Sequence, residues 1–383
     1  MSEAGRGSPQ KGRVASVAPT LLELAVVGTM TLGALVLLRL RTPTWSLTML
    51  PPGVDGHYYA AMAEGAWRLC VRAPFCWRPV VPLLAGLLPF ATTQAFMLLN
   101  IGLLSLAGVI FYWFLRTDTG SWLWASVGVL LFVSLGWATK FLFLYPWLTD
   151  AGLFVVISVA IFAARDHRPV IFAVALAVGV LTKEAAFAAV GLYYGLNAQR
   201  AVDGKALRSS LFVSVPAVVL AVAVRFGLPG SASLDEALSL GRHHVEALAS
   251  WTLWRTITVG TWGIVGSLGA LAGLLRHPEL AWRLTPFIVA VYAQLVIAHD
   301  TERLLVFGFP AVLWLAVVGL RAFVPGALAL ALAAVTFGSA FLLVLPPFGP
   351  LGEATQVAAV VVVGFVLLVR RFVGPQRTVR LVT

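Results

Sequence analysis

Apolar runs recur along this chain from Leu21 to Val369. Each is about 15 to 24 residues long, near the length that carries a helix across a hydrocarbon core of about 30 Å. Barrel strands would instead alternate polar and apolar residues over short segments, and no such alternation is found. Hydrophobic residues are 60% of the 383, and only 11% are charged. A soluble domain so composed lacks the polar surface to cover its core. The sequence therefore predicts an all-α, polytopic helical membrane protein.

Twelve spans are expected, at roughly 21–38, 92–115, 122–139, 150–164, 169–182, 185–198, 209–227, 257–275, 284–298, 304–320, 325–345 and 354–369. Residues 1–20 read as a disordered basic tail, 21–371 as the membrane domain and 372–383 as a second basic tail. With the N-terminus inside, the C-terminus also returns inside. This arrangement puts 16 Lys/Arg inside and 11 outside, as orientation by inner positive charge requires. The expected location is a bacterial plasma membrane with both termini cytoplasmic. The net charge of +11 is spread over many short loops, so it indicates orientation in a bilayer and no nucleic-acid partner. The pair 169–182 and 185–198 is short. Re-entrant or broken helices meeting at Thr182-Lys183-Glu184 are the alternative there, with backbone that must line protein or a water-filled cavity.

Two long loops, about 39–93 and 229–256, face outward. The stretch Asp55–Cys70 has apolar residues at helical spacing, which suits an interfacial helix. The segment after Ser231 opens like a second helix and ends in the aromatic Trp251–Trp254 stretch, fit for a headgroup boundary. Cys70 and Cys76 share the first loop. An oxidising compartment permits a disulfide between them, and two buried free thiols are the other reading.

The ionisable residues gather at the outer ends of the spans. Asp55, His57, Arg78, Asp150, Lys183, Glu184, His243, His244, Asp300 and Arg303 all fall there. Placing so many ions at one membrane face is costly unless they pair, bind an ion or contact a polar substrate. Asp55 stands on a Pro/Gly-bent turn before the interfacial helix, where an N-cap is the plain reading. His57, Tyr58 and Tyr59 add polar-tipped rings beside it. Arg78, held extended by Pro79, suits a lipid phosphate, with snorkelling to headgroups as the alternative. Thr149 or Asp150 can cap a helix, while Tyr145 and Trp147 offer a surface for stacking on a sugar. Lys183 and Glu184 read as an ion pair or as substrate contacts. His299, Asp300, Glu302 and Arg303 form another outer junction. A divalent metal ion on Asp55, His299 and Asp300 is one reading, though no spacing there is diagnostic. There is no nucleotide-binding loop, zinc-protease helix or serine-hydrolase elbow.

Four features together resemble the GT-C superfamily, multi-span glycosyltransferases that use polyprenyl-phosphate-linked sugars. These are Asp55 in the first outer loop, Arg78-Pro79 followed by Pro82-Leu83-Leu84-Ala85, the later Thr182-Lys183-Glu184, and Asp300-Thr301-x-Arg303. The resemblance implies a catalytic Asp55 acting as base on an acceptor hydroxyl of a glycan, lipid or protein, with inversion at the sugar. Arg78 and Lys183 would stabilise the departing phosphate. Glu184, Arg303, His57, Tyr58, Tyr59, Asp150 and Asp300 would contact substrate. Many members carry two acids in the first loop, where this chain has Asp55-Gly56-His57. Two other classes compete: a polytopic transporter or flippase of a polar or lipid-linked substrate, and a polymerase or ligase of lipid-linked glycans.

The topology is tested with single cysteines in a background lacking Cys70 and Cys76. Positions 55, 243 and 300 should react with an impermeant maleimide from outside intact cells. Positions 200 and 277 should react only after permeabilisation. Reaction of 55 and 300 from opposite sides would contradict the arrangement.

Overall fold

A computed structural model describes residues 18–51, 54–228, 251–296, 301–342 and 355–364. The described residues are helical and contain no β-strand. The helices are α1 (Leu21–Arg41), α2 (Asp55–Ala63), α3 (Val80–Gly86), α4 (Thr92–Thr119), α5 (Trp122–Val133), α6 (Lys140–Leu144), α7 (Asp150–Arg165) and α8 (Pro169–Thr182). They continue as α9 (Ala189–Asn197), α10 (Gly204–Gly227), α11 (Trp251–Arg276), α12 (Pro278–Ala293), α13 (Thr301–Leu305), α14 (Phe309–Phe323), α15 (Gly326–Leu342) and α16 (Thr355–Gly364).

Five stretches are long and apolar enough to cross a membrane: Leu21–Arg41, Thr92–Thr119, Gly204–Gly227, Thr258–Arg276 and Arg303–Phe323. The other apolar helices are shorter, because turns interrupt them. The expected span 122–139 is helical only to Val133, after which a turn leads into α6. Over 169–198 the chain breaks where two short segments were expected to meet. Lys183 is extended, and a 3-10 turn over Glu184–Ala188 leads into α9. The region Asp55–Cys70 is α2 followed by a 3-10 turn over Trp67–Leu69. Cys70 and Cys76 are joined in a disulfide.

The core is built on α4, α5, α7 and α14. On α14 nearly every side chain is buried, and the Phe309 ring packs against those of Phe111, Phe132 and Phe154. By contrast, α1 and α10 expose large apolar side chains such as Leu22, Met30, Phe212 and Phe226, as helices bordering lipid do. Polar ties lock the end of the bundle where α1 starts. Glu23, in the first turn of α1, accepts from Tyr112 and Arg116. Trp314 Nε1 donates to Asp118, and Arg321 to the carbonyl of Thr119.

Helices α11 and α14 cross at backbone contact. A Cβ on Gly319 would run into the backbone of Gly269 and Gly273, and one on Gly273 into the carbonyl of Leu315. Small residues four apart permit such an approach within a bilayer. Above this crossing α11 is interrupted at Gly263, whose positive φ of 68° favours glycine. The amide freed there, that of Ile264, donates to the side chain of Gln356 on α16 at 2.8 Å. Gly319→Leu should therefore separate the two helices and lower the thermal stability of the detergent-solubilised protein. Gly338→Leu, which has open space around it, should leave stability near wild type.

Candidate functional site

Side chains from five separate stretches meet at the N-termini of α2 and α7. Asp150 is the first residue of α7. Thr149 makes no side-chain cap hydrogen bond there. The Asp150 carboxylate does other work: Lys183 Nζ donates to its Oδ1, and Arg303 Nε lies 2.8 Å from its Oδ2. Asp150 is only 1% exposed, so it touches substrate at most through those two cations. The extended backbone at Lys183, between α8 and the following 3-10 turn, turns that ammonium inward. It lies 4.9 Å from the centre of the Phe307 ring.

Arg303 also spans to Asp55, with Nη2 3.4 Å from Oδ2. Asp55 is the first residue of α2, within the helix, one step past the turn position expected for it. Its Oδ1 accepts from the Tyr145 hydroxyl at 2.8 Å and from the Gly56 amide at 3.1 Å. Gly56 is required at that place. A Cβ there would stand 2.7 Å from the Tyr145 hydroxyl and 3.3 Å from the Trp147 ring. The Asp55 side chain is 13% exposed, which leaves it the more reachable of the two acids. Burial, followed by the Asp55 charge, raises the Tyr145 phenol above its usual range, so it stays a proton donor to Asp55.

Arg78 completes the cluster. Its Nε donates to Glu184 Oε2 at 2.9 Å and its Nη1 to the Tyr59 hydroxyl at 2.9 Å. Burial works to lower its pKa, but Glu184 and Tyr59 outweigh that and hold it above the ordinary value. Arg78 is thus neither snorkelling nor free. The Tyr58 ring stacks on Phe75, and Tyr59 meets Phe75 edge-on. The disulfide-closed loop 70–76 carries that Phe75.

Of the expected site residues, Asp55, Tyr59, Arg78, Asp150, Lys183, Glu184 and Arg303 are brought together. His57 and Tyr58 sit on α2 beside them, and His57 Nε2 is buried without a hydrogen-bond partner. His243, His244, His299 and Asp300 lie outside the described residues. Among the described residues no three metal-ligating side chains cluster, and two of the three metal candidates, His299 and Asp300, are not among them. The sugar-stacking surface is corrected: Trp147 is fully buried and Tyr145 nearly so, because both pack beneath α2 to hold Asp55. Sequence reading passed over Lys140, although a lone lysine in the run Ala138–Leu144 is itself a signal. Its ammonium is buried without a hydrogen-bond partner and is pushed down to about 8 by burial.

The arrangement offers a reachable Asp55 held by Arg303, beside a sealed Asp150 that binds both Arg303 and Lys183. Removing the Asp150 charge should leave the buried Lys183 without its counter-ion and Arg303 without its closer acid, costing about 3–5 kcal/mol. Asp150→Asn should accordingly unfold at markedly lower temperature, and Lys183→Met in the same chain should recover part of the loss. Compared with protein-family models, curated proteins and solved structures, the chain matches none.

Proposed function

We propose that this chain is a membrane glycosyltransferase. It moves a sugar from a polyprenyl-phosphate donor to an acceptor hydroxyl at the extracytoplasmic face, with inversion. The twelve-span GT-C layout, the bacterial plasma membrane and the cytoplasmic termini belong to the same reading. The observation that carries it is the pairing of a reachable Asp55 with Arg303, which also holds the Asp150 that pairs with Lys183, all drawn from stretches far apart in the chain.

In the reaction, the acceptor oxygen bonds to the anomeric carbon as the bond from that carbon to the phosphate oxygen breaks. Asp55 takes the hydroxyl proton as general base. Tyr145, Gly56 and Arg303 fix the carboxylate's orientation. The polyprenyl phosphate departs as an anion, stabilised by preorganised cations in a site shielded from water. Arg78 and Lys183 serve that role, and Arg303 ties the base to the phosphate side. Tyr58 and His57 border the sugar, and the buried Tyr59 holds Arg78 in place. The donor's own sugar–phosphate bond supplies the driving force, so no nucleotide pocket is needed. A divalent ion would have to compete with Arg303 and Lys183 for the oxygens of Asp55 and Asp150, or be held through His299 and Asp300.

A transporter or flippase has one supporting observation, the interrupted α11 at Gly263, since broken spans line transport sites. It predicts proteoliposome flux of an unchanged substrate. A polymerase or ligase of lipid-linked glycans would depend on Arg78 more than on the acids.

The test incubates purified protein with radiolabelled polyprenyl-phosphate sugars and follows loss of label from the lipid. Wild type should transfer at least one of them. Asp55→Asn should transfer at least about 100-fold more slowly, the lower bound for losing a general base. An undiminished rate in Asp55→Asn would remove Asp55 from the base role. Full activity without the outer acids but none without Arg78 would favour the polymerase reading.

A further inference from the structure

A groove of about 220 Å³ lies beside the charged cluster, where α8 and α10 meet the Phe75–Trp77 turn. Val180, Leu181, Phe187, Val218, Ala221 and Val222 give it an apolar lining. It borders the exposed, lipid-facing side of α10, where Val218, Val219 and Val222 stand open. Three of its lining residues carry polar groups: Trp77, Glu184 and Arg225. They sit together in the chain's layout, near the Gly227 end of α10 and just past the Thr182 end of α8. The Arg225 guanidinium lies over the Trp77 ring, 4.8 Å from its centre. Trp77 Nε1 is a buried donor without an acceptor, and Glu184 Oε1 is a buried acceptor without a donor. Native structures rarely leave such groups unmet unless a ligand or water meets them.

Glu184 belongs to both places, since it lines the groove and pairs with Arg78 at 2.7 Å. The cluster is balanced as it stands, with Arg78, Lys183 and Arg303 set against Asp55, Asp150 and Glu184. An arriving phosphate adds negative charge, so one carboxylate must give up its cation. Asp150 is sealed at 1% exposure, whereas the Glu184 side chain is 31% exposed and uses one oxygen only. Glu184 is the one that can move.

We infer that this groove takes the single aliphatic chain of an anionic lipid phosphate, received at its polar end by Arg225 and Trp77 Nε1. Glu184 is a displaceable counter-ion that holds Arg78 until the phosphate replaces it. The inference rests on the donor reading above and adds to it the route and the gate. A lone narrow groove fits one chain, not the paired chains of a phospholipid. The apolar lining distinguishes a lipid-borne phosphate from a free one.

The experiment uses the full chain in phosphatidylcholine nanodiscs and a diazirine-bearing farnesyl phosphate as photoprobe, with the labelled peptides mapped by mass spectrometry. Label should fall within 180–187 and 218–225. Unlabelled farnesyl phosphate should compete, and farnesol, inorganic phosphate and dioleoyl phosphatidate should not. Arg225→Gln should weaken probe binding about tenfold, the equivalent of one charge-assisted hydrogen bond of about 1.4 kcal/mol. Glu184→Gln should strengthen it several-fold, a gain that misfolding cannot produce. Label elsewhere, equal competition by farnesol or phosphate, or unchanged binding in Glu184→Gln would each overturn the inference. Correct labelling without sugar transfer from any donor would remove the transferase reading alone. Intact transfer with label elsewhere would remove the groove alone.

Discussion

Asp150 holds two cations at once, and the rest of the charged cluster is arranged around that fork. A carboxylate this deeply buried is costly unless its charge is matched, and here Lys183 and Arg303 match it from opposite parts of the sequence. Holding Arg303 in place also fixes the contact to Asp55, more than two hundred residues away in the chain. After α8 the extended backbone at Lys183 carries its ammonium onto Asp150. Structure and charge are thus coupled. Interrupted helices are tolerated because ion pairs and hydrogen bonds satisfy what the breaks expose.

The two ends of the helix bundle use charge differently. At the end where α1 starts, Glu23, Arg116 and Asp118 tie neighbouring helices, with partners such as Tyr112 and Trp314. At the other end, three cations and three acids stand close together, with Asp55 and Glu184 left partly open. Unmet donors and acceptors at His57, Trp77 and Glu184 lie around this cluster.

Much of this was legible in the sequence, because the bilayer makes polar residues conspicuous. Helical class, the start of α1 at Leu21 and the interruption at Lys183 follow from apolar run lengths and from ions placed between them. The clustering of Asp55, Arg78, Asp150, Lys183 and Arg303 was legible as a shared membrane side, but not as a set of partners. Pairing depends on tertiary approach. Nothing local says that Arg78 chooses Glu184 or that Asp150 takes two cations. Local reading also misjudged aromatic residues. Tyr145 and Trp147 look like a ligand surface beside a Pro, yet packing under Gly56 buries them. The short length of α5 was hidden because Leu135, Trp137 and Ala138 continue the apolar run through the turn after Val133.

In the proposed function, distant charged ends form one extracytoplasmic site in which Asp55 meets substrate while Asp150 stays paired with Lys183 and Arg303. An experimental map of the protein bound to a non-transferable polyprenyl-phosphate sugar analogue tests it most directly. The account predicts the phosphate against Arg78 and Lys183, Asp55 beside the anomeric carbon, and Asp150 still paired with Lys183 and Arg303. A headgroup bound at the inner ends, or an Asp55 turned away from the sugar, would contradict it.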